Sequence, residues 1–390
     1  MFFGRLALGG IETMILKVVN QMAEAGLPVI VAGQEAQLSQ HLRPEVRRIL
    51  SISPKSVGRE LVSMFGDNPA AVSVTIVSMT PWELLRAALL NRLLSRRGCT
   101  VRGFHLVTHS RAFFFDSRMP QLRRLLRWAF FRAPPASTYF MNEAARDAHQ
   151  EFWKTDLRDY PILRLPIAEP SVSWKPSGGT DFRIVSVGRL VPFKGYNRVA
   201  PLVVRALRDG GIPAQWDVWG YGQDEGLIAE TIQSAGVDQW VRLRGTLSYE
   251  RFNETVARYD LFVGMGTALL EAARLGMPAI TAVEGTDDQA YGFLNETPLD
   301  SVGDKVAGVL TRDLETVIED AARFSPAEAA AAGQRCRDSA VERSSSVETM
   351  VQAVEQASLW HLDSRDTRRL GAAALLVALR DLRIRLSGRA

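Results

Sequence analysis

Between residues 182 and 283 the chain alternates short apolar runs with amphipathic stretches, and this alternation limits the architecture more than any other feature. The run 182–188 (FRIVSVG) reads as a buried strand closed by glycine, and Tyr196 to Arg208 as the helix after it. Strands follow at 215–220, 241–244, 261–263 and 278–283, with helices at 225–235, 248–259 and 268–275 between them. Alternating strand and helix implies a parallel sheet with helices on both faces.

The first part of the chain obeys the same rule. From Ile11 to Ala25, Ile11, Ile15, Val18, Val19 and Met22 share one helical face. Strands are expected at 27–33, 71–78 and 103–108, and helices at 81–97 and 120–132. Pro161, Pro166, Pro170 and Pro176, followed by Gly178 and Gly179, mark exposed chain between domains. A chain of 390 residues suits two cores better than one. The fold class expected is therefore α/β, with two tandem doubly wound (Rossmann-like) domains at 1–168 and 169–345 and C-terminal helices at 346–390. Beyond Ser325 no strand is expected. The last helix, Arg365 to Leu386, carries an apolar stripe of Leu375, Leu376, Leu379, Leu382 and Leu386, with Arg380, Arg383 and Arg385 off it.

Composition removes several classes. Hydrophobic residues make up 46% and charged residues 23%, which excludes a disordered, collagenous or disulfide-scaffold protein. Cys99 and Cys336 stand far apart without metal-ligand spacing and read as reduced thiols of the cytoplasm. No run reaches the roughly 18–20 apolar residues needed to span a bilayer, and no secretory signal follows Met1. The expected location is cytoplasmic, at most peripheral on the inner face of the cell membrane. His41, His105, His109, His149 and His361 are scattered, so no metal site is expected.

Doubly wound sheets bind ligands at the carboxyl ends of their strands, and four such ends draw notice. After Gly188, a loop delivers Arg189 and Lys194 just before a helix. Two cations beside a helix N-terminus suit a diphosphate, although a solvated basic loop would look the same. Gly264 and Gly266 precede Thr267, placed to cap the next helix, and Glu271 one turn further could accept from vicinal hydroxyls. Gly9 and Gly10 open a helix in the first domain, and His109 follows a strand there. A lone histidine in that position is more often structural than catalytic.

In this order the segments VGRLVPFKGYN (187–197), GYG (220–222), VRLRGTLSYE (241–250) and ALLEAARLGMP (268–278) resemble the retaining nucleotide-sugar glycosyltransferases of GT-B architecture, family 4. The resemblance implies transfer of a sugar from a UDP-sugar or GDP-sugar to a glycan or lipid-linked acceptor in surface polysaccharide or glycolipid synthesis, with no metal and no cofactor. It assigns Arg189 and Lys194 to the diphosphate and Glu271 to the ribose hydroxyls. Gly188, Gly264, Gly266, Thr267 and Ala268 would approach the phosphate and donor sugar. Gly9 and Gly10 would approach donor and acceptor, and His109 the transferred sugar.

Two departures stand out. Val263 occupies the position of the first of the family's two motif glutamates. Only nine residues precede Gly10, so the first strand is expected to be truncated and the true start to lie upstream of Met1. A non-catalytic nucleotide-binding or partner subunit is the alternative these departures leave open; a nucleotide-sugar epimerase is the further one.

Residues 1–170 carry 22 Lys and Arg against 14 Asp and Glu, residues 171–360 carry 18 against 26, and the last 30 carry 7 against 3. Arg118, Arg123, Arg124, Arg127 and Arg132 sit among leucines and aromatics, a pattern suited to an anionic membrane surface. A core helix with solvated arginines fits it equally. Nucleic acid is not an expected partner, because no aromatics on a sheet interleave the basic residues.

Overall fold

The computed structural model describes residues 1–3, 9–65, 68–114, 119–298, 301–306 and 308–386. The chain forms two compact units, Met1–Pro166 with Val347–Ala390, and Ile167–Ser346.

The first unit begins with β1 (Phe2–Phe3), α1 (Gly10–Glu24), β2 (Ile30–Ala32), β3 (Arg47–Ile49), α2 (Pro54–Met64), β4 (Ser73–Ser78) and α3 (Pro81–Ser95). It continues with β5 (Thr100–Val107), α4 (Pro120–Arg132), β6 (Thr138–Phe140) and α5 (Glu143–Trp153). The strands run in parallel in the order β3-β2-β1-β4-β5-β6. This is a doubly wound order, whose direction of winding reverses between β1 and β4. The first strand, β1, is two residues long and holds the central place, with Phe2 opposite Val31 on one side and Val77 on the other.

The second unit contains β7 (Phe182–Val187), α6 (Tyr196–Asp209), β8 (Ala214–Trp219), α7 (Glu225–Ala235), β9 (Val241–Leu243) and α8 (Phe252–Val256). Then come β10 (Leu261–Gly264), α9 (Thr267–Arg274), β11 (Ala279–Ala282), β12 (Gln289–Phe293), β13 (Arg312–Asp313), α10 (Leu314–Ala322) and α11 (Pro326–Arg343). Strands β9-β8-β7-β10-β11 are parallel, and β12 and β13 extend the edge antiparallel. The winding reverses between β7 and β10. Trp216 and Phe262, both fully buried, sit in the core of this unit. The α/β class with doubly wound parallel sheets is as expected from the sequence.

Three local expectations fail. The helix read at 248–259 shrinks to a 3₁₀ turn, Tyr249–Arg251, and the five residues of α8. A strand does occur beyond Ser325. After α12 (Val347–Glu355), β14 (Ser358–Leu359) pairs antiparallel with Arg102 and Gly103 of β5. Two residues carry no periodic signal; backbone pairing makes this strand, together with the Trp360 ring lying against Gly103, where a Cβ would come within 2.7 Å of it. Finally α13 (Thr367–Leu386) buries Leu370, Ala373 and Val377, whereas Leu375 and Leu379 are 62% and 53% exposed. Arg380 stacks on Trp82 at 4.2 Å, and Arg86 pairs with Asp381. The inward face of α13 is thus set by α3, not by its leucine stripe. The side chains of Leu382, Arg383, Arg385 and Leu386 lie outside the described residues, as does Arg118.

Candidate functional site

In the second unit the two loops singled out by sequence lie side by side, because β7 and β10 are neighbours at the reversal of winding. Gly188 leaves β7, and its amide donates to the Trp219 carbonyl at the end of β8 (2.9 Å). A side chain on Gly220 would strike the Gly188 carbonyl, so the β7 and β8 loops meet through backbone alone. The ammonium of Lys194 lies over Gly188, 2.8 Å from where a Cβ would stand. Burial, and then the charge of Arg189, lower the Lys194 pKa to about 8. No ion pair among the described residues engages either cation. Arg189 itself is exposed.

A buried relay fixes the loop from below. Trp216 Nε1 donates to Ser186 Oγ (3.2 Å), whose hydroxyl donates to Asn197 Oδ1 (2.8 Å), and Asn197 Nδ2 donates to the Lys194 carbonyl (3.4 Å). Arg198 clamps it from the side, donating to the Pro192 carbonyl (2.7 Å), Asp224 (2.9 Å) and Asp287 (3.3 Å). Neither support is visible in the sequence, since Asp287 lies 89 residues from Arg198.

The second loop runs from Gly264, the last residue of β10, to Thr267, the first of α9. Thr267 is not the helix cap. Gly266 is, with φ +72° and no side chain to offer, so no side chain caps the first turn of α9 and no acidic residue stands in it. Thr267 and Ala268, both half-buried, begin this helix, whose first-turn amides receive no side-chain cap. Glu271 is half-buried one turn on. Val263 is fully buried within β10, opposite Ile280. The strand runs directly into the glycine loop, which makes position 263 a core position.

The remaining candidates belong to the first unit. Gly9 caps α1 and Gly10 begins it, but the Glu12 carboxylate folds back so closely that a Cβ on Gly9 would strike it. That helix has an acidic residue in its first turn, which α9 does not. His109 follows β5, and its Nδ1 accepts from the Arg111 amide (3.0 Å) within a turn. Within β5, His105 is buried against Ser78, and burial lowers its pKa to about 3, so it stays neutral. Sequence reading passed over Glu83, which follows β4 at the reversal of winding. Its Oε2 accepts from the Met79 (2.8 Å) and Thr80 (3.0 Å) amides, and burial raises its pKa to about 7. The signal was present as a capping box, with Thr80 and Glu83 three residues apart ahead of an apolar run.

Two doubly wound units of this topology define the GT-B fold, and solved GT-B glycosyltransferases match most of the chain. WaaG, a glycosyltransferase involved in lipopolysaccharide biosynthesis, matches 92% of this chain and 100% of its own at 15% identity and a TM-score of 0.59. Sucrose-phosphate synthase of Thermosynechococcus elongatus matches 91% and 96%, also at 15% identity and 0.59. Staphylococcus aureus TarM, solved with fondaparinux, α-GlcNAc-glycerol and UDP, matches 76% of this chain at 14% identity and 0.52, and the chain spans 57% of TarM's length. No protein-family model and no curated protein matches the chain.

Proposed function

We propose that the chain is a glycosyltransferase that takes a nucleotide-diphosphate sugar at the β7–β10 edge of the second unit. The observation that carries this reading is a lysine, desolvated and unpaired, that shares that edge with an exposed arginine and an uncapped helix N-terminus. Each favours an anion, and a diphosphate bears enough charge for all three. The UDP held by TarM is a molecule of this chemistry.

In the reaction, the bond from the sugar's anomeric carbon to the β-phosphate oxygen breaks, and its electron pair stays on the phosphate. Lys194, Arg189 and the first turn of α9 stabilise the charge that develops there. Glu271 receives the ribose hydroxyls. An acceptor hydroxyl, on a glycan or lipid-linked molecule, attacks from the face the phosphate leaves, and its proton passes to the departing phosphate oxygen. The anomeric configuration is retained. The resemblance assigns His109, Gly9 and Gly10 to the transferred sugar and acceptor. On this reading the protein groups supply the electrostatic work and no metal is needed, so turnover should withstand EDTA.

Calorimetry with UDP, GDP and ADP tests the donor site. One diphosphate should bind, and Lys194→Ala/Glu271→Ala should abolish its binding; failure of all three to bind folded protein would defeat the reading. The buried Val263 supports a second reading, a subunit that binds nucleotide without catalysis. Binding without turnover across nucleotide sugars and acceptors would favour it.

A further inference from the structure

We propose that α4 and α13 together form a docking face for an anionic lipid bilayer. No helix among the described residues is long and apolar enough to cross a membrane, so the contact is with its surface. The face belongs to the first unit alone and is separate from the donor site.

The first observation is that α13 is apolar on two sides. Its inward stripe, Leu370, Ala373 and Val377, is buried. At about 100° per residue, Arg368, Ala372, Leu375 and Leu379 fall within roughly 60° of one another on the opposite side. All four are exposed. A helix that only covers a core would be polar there. The sole acidic residue of α13, Asp381, is engaged by Arg86.

The second observation is a recess of about 600 Å³ beside this helix, where Arg124, Arg127, Arg132 and Arg369 surround Trp128 and Phe131. Helix α4 has four arginines and no acidic residue. Arg132 is tied to Asp366 (3.1 Å) and faces Asp363 (3.7 Å), and Trp128 Nε1 donates to Asp366 (3.0 Å). Those contacts neutralise one wall. Arg127 leans over Phe131 at 5.6 Å and donates to Thr155 (3.2 Å). No ion pair among the described residues engages Arg124, Arg127, Arg368 or Arg369.

Charge and apolar surface thus occur together as interfacial binding requires. The arginines attract phosphate headgroups, the aromatic floor of the recess sits at headgroup depth, and Leu375 and Leu379 enter the acyl boundary. From Arg368 to Leu379 the outward stripe spans about 16 Å at 1.5 Å per residue, enough to lie along a bilayer surface.

Vesicle flotation of the full chain tests this. Phosphatidylcholine vesicles with about 30 mol% phosphatidylglycerol should retain it at least tenfold better than phosphatidylcholine alone in roughly 0.1 M salt. Arg124→Glu/Arg368→Glu/Arg369→Glu should reduce binding more than about tenfold, and Leu375→Gln/Leu379→Gln at least about threefold. All five side chains are exposed, so melting curves should match the wild type and show that the loss is not unfolding. Equal binding to both vesicles, or binding unaffected by either variant, would overturn the proposal. So would a dimer lost with the leucine variant, or RNA bound through the same arginines, when vesicles are not bound. Calorimetric nucleotide binding, read in parallel, keeps this outcome distinct from failure of the donor site.

Discussion

Lys194 holds a charge that its surroundings disfavour, and this has consequences that can be measured. Its folded pKa of about 8 lies below the ordinary 10.5, so between these values the unfolded chain keeps a proton that the folded chain has released. Stability from this group therefore rises from pH 8 to 10.5 and is lowest below 8. Diphosphate binding runs the other way, because it needs the charged form. Calorimetry across pH 7 to 10 should show affinity falling as pH passes about 8. Lys194→Met should raise the melting temperature at pH 7, worth about 1 kcal/mol, while abolishing diphosphate binding. Arg198 acts one step back. Arg198→Ala should weaken diphosphate binding about tenfold and cost about 1–2 kcal/mol of stability by freeing the Pro192 loop and leaving Asp224 unpaired. Gly188, Arg189 and Lys194 were readable in sequence because a strand end, a glycine and two cations are contiguous there. Arg198 was not, since its carboxylates come from two other loops.

At the level of elements, strand order decided what could be read. A doubly wound sheet places the loops after its first and fourth strands together, so the 188–194 and 264–268 segments could be read as neighbours from their positions in the βα series. Their role as a donor site remains our proposal. Position 263 shows what spacing leaves out: counting back from Glu271 reaches a residue inside β10, where the family's pattern has a glutamate. Val263→Glu should not add a sugar contact. It should bury an unpaired carboxylate between β7 and β11 and cost about 3 kcal/mol or more, visible as a lost or strongly lowered thermal transition. Helix α13 shows a different limit. Its leucines mark an apolar stripe correctly, but periodicity does not say which of two stripes the protein covers. That choice is made by Trp82 and Arg86, almost three hundred residues earlier in the chain.

For the molecule as a whole, the division into units makes one further prediction. The second unit is continuous in sequence and closes its own core, so residues 167–346 expressed alone should unfold in a single transition. They should also bind the nucleoside diphosphate within about threefold of the full chain, because every residue assigned to the diphosphate is present. Residues 1–166 alone should fail to give a cooperative melt. Without the last segment Arg86, only 5% exposed, loses Asp381, Asn91 loses the Trp360 carbonyl, and the edge of β5 loses β14.

The return of the last segment to β5 also bears on how the protein is made. A ribosome releases the chain from its amino end, and domains generally fold as they emerge. Here the unit that begins first cannot finish first. While residues 167–346 are being synthesised and can fold, the earlier segment waits with β5 unflanked by β14 and the Arg86 and Trp82 side of α3 uncovered. It is completed only when residues 347–390 arrive. Chaperone engagement, or loss to aggregation, should therefore concentrate in that interval, and a stop codon just before Val347 should damage the unit formed by residues 1–166.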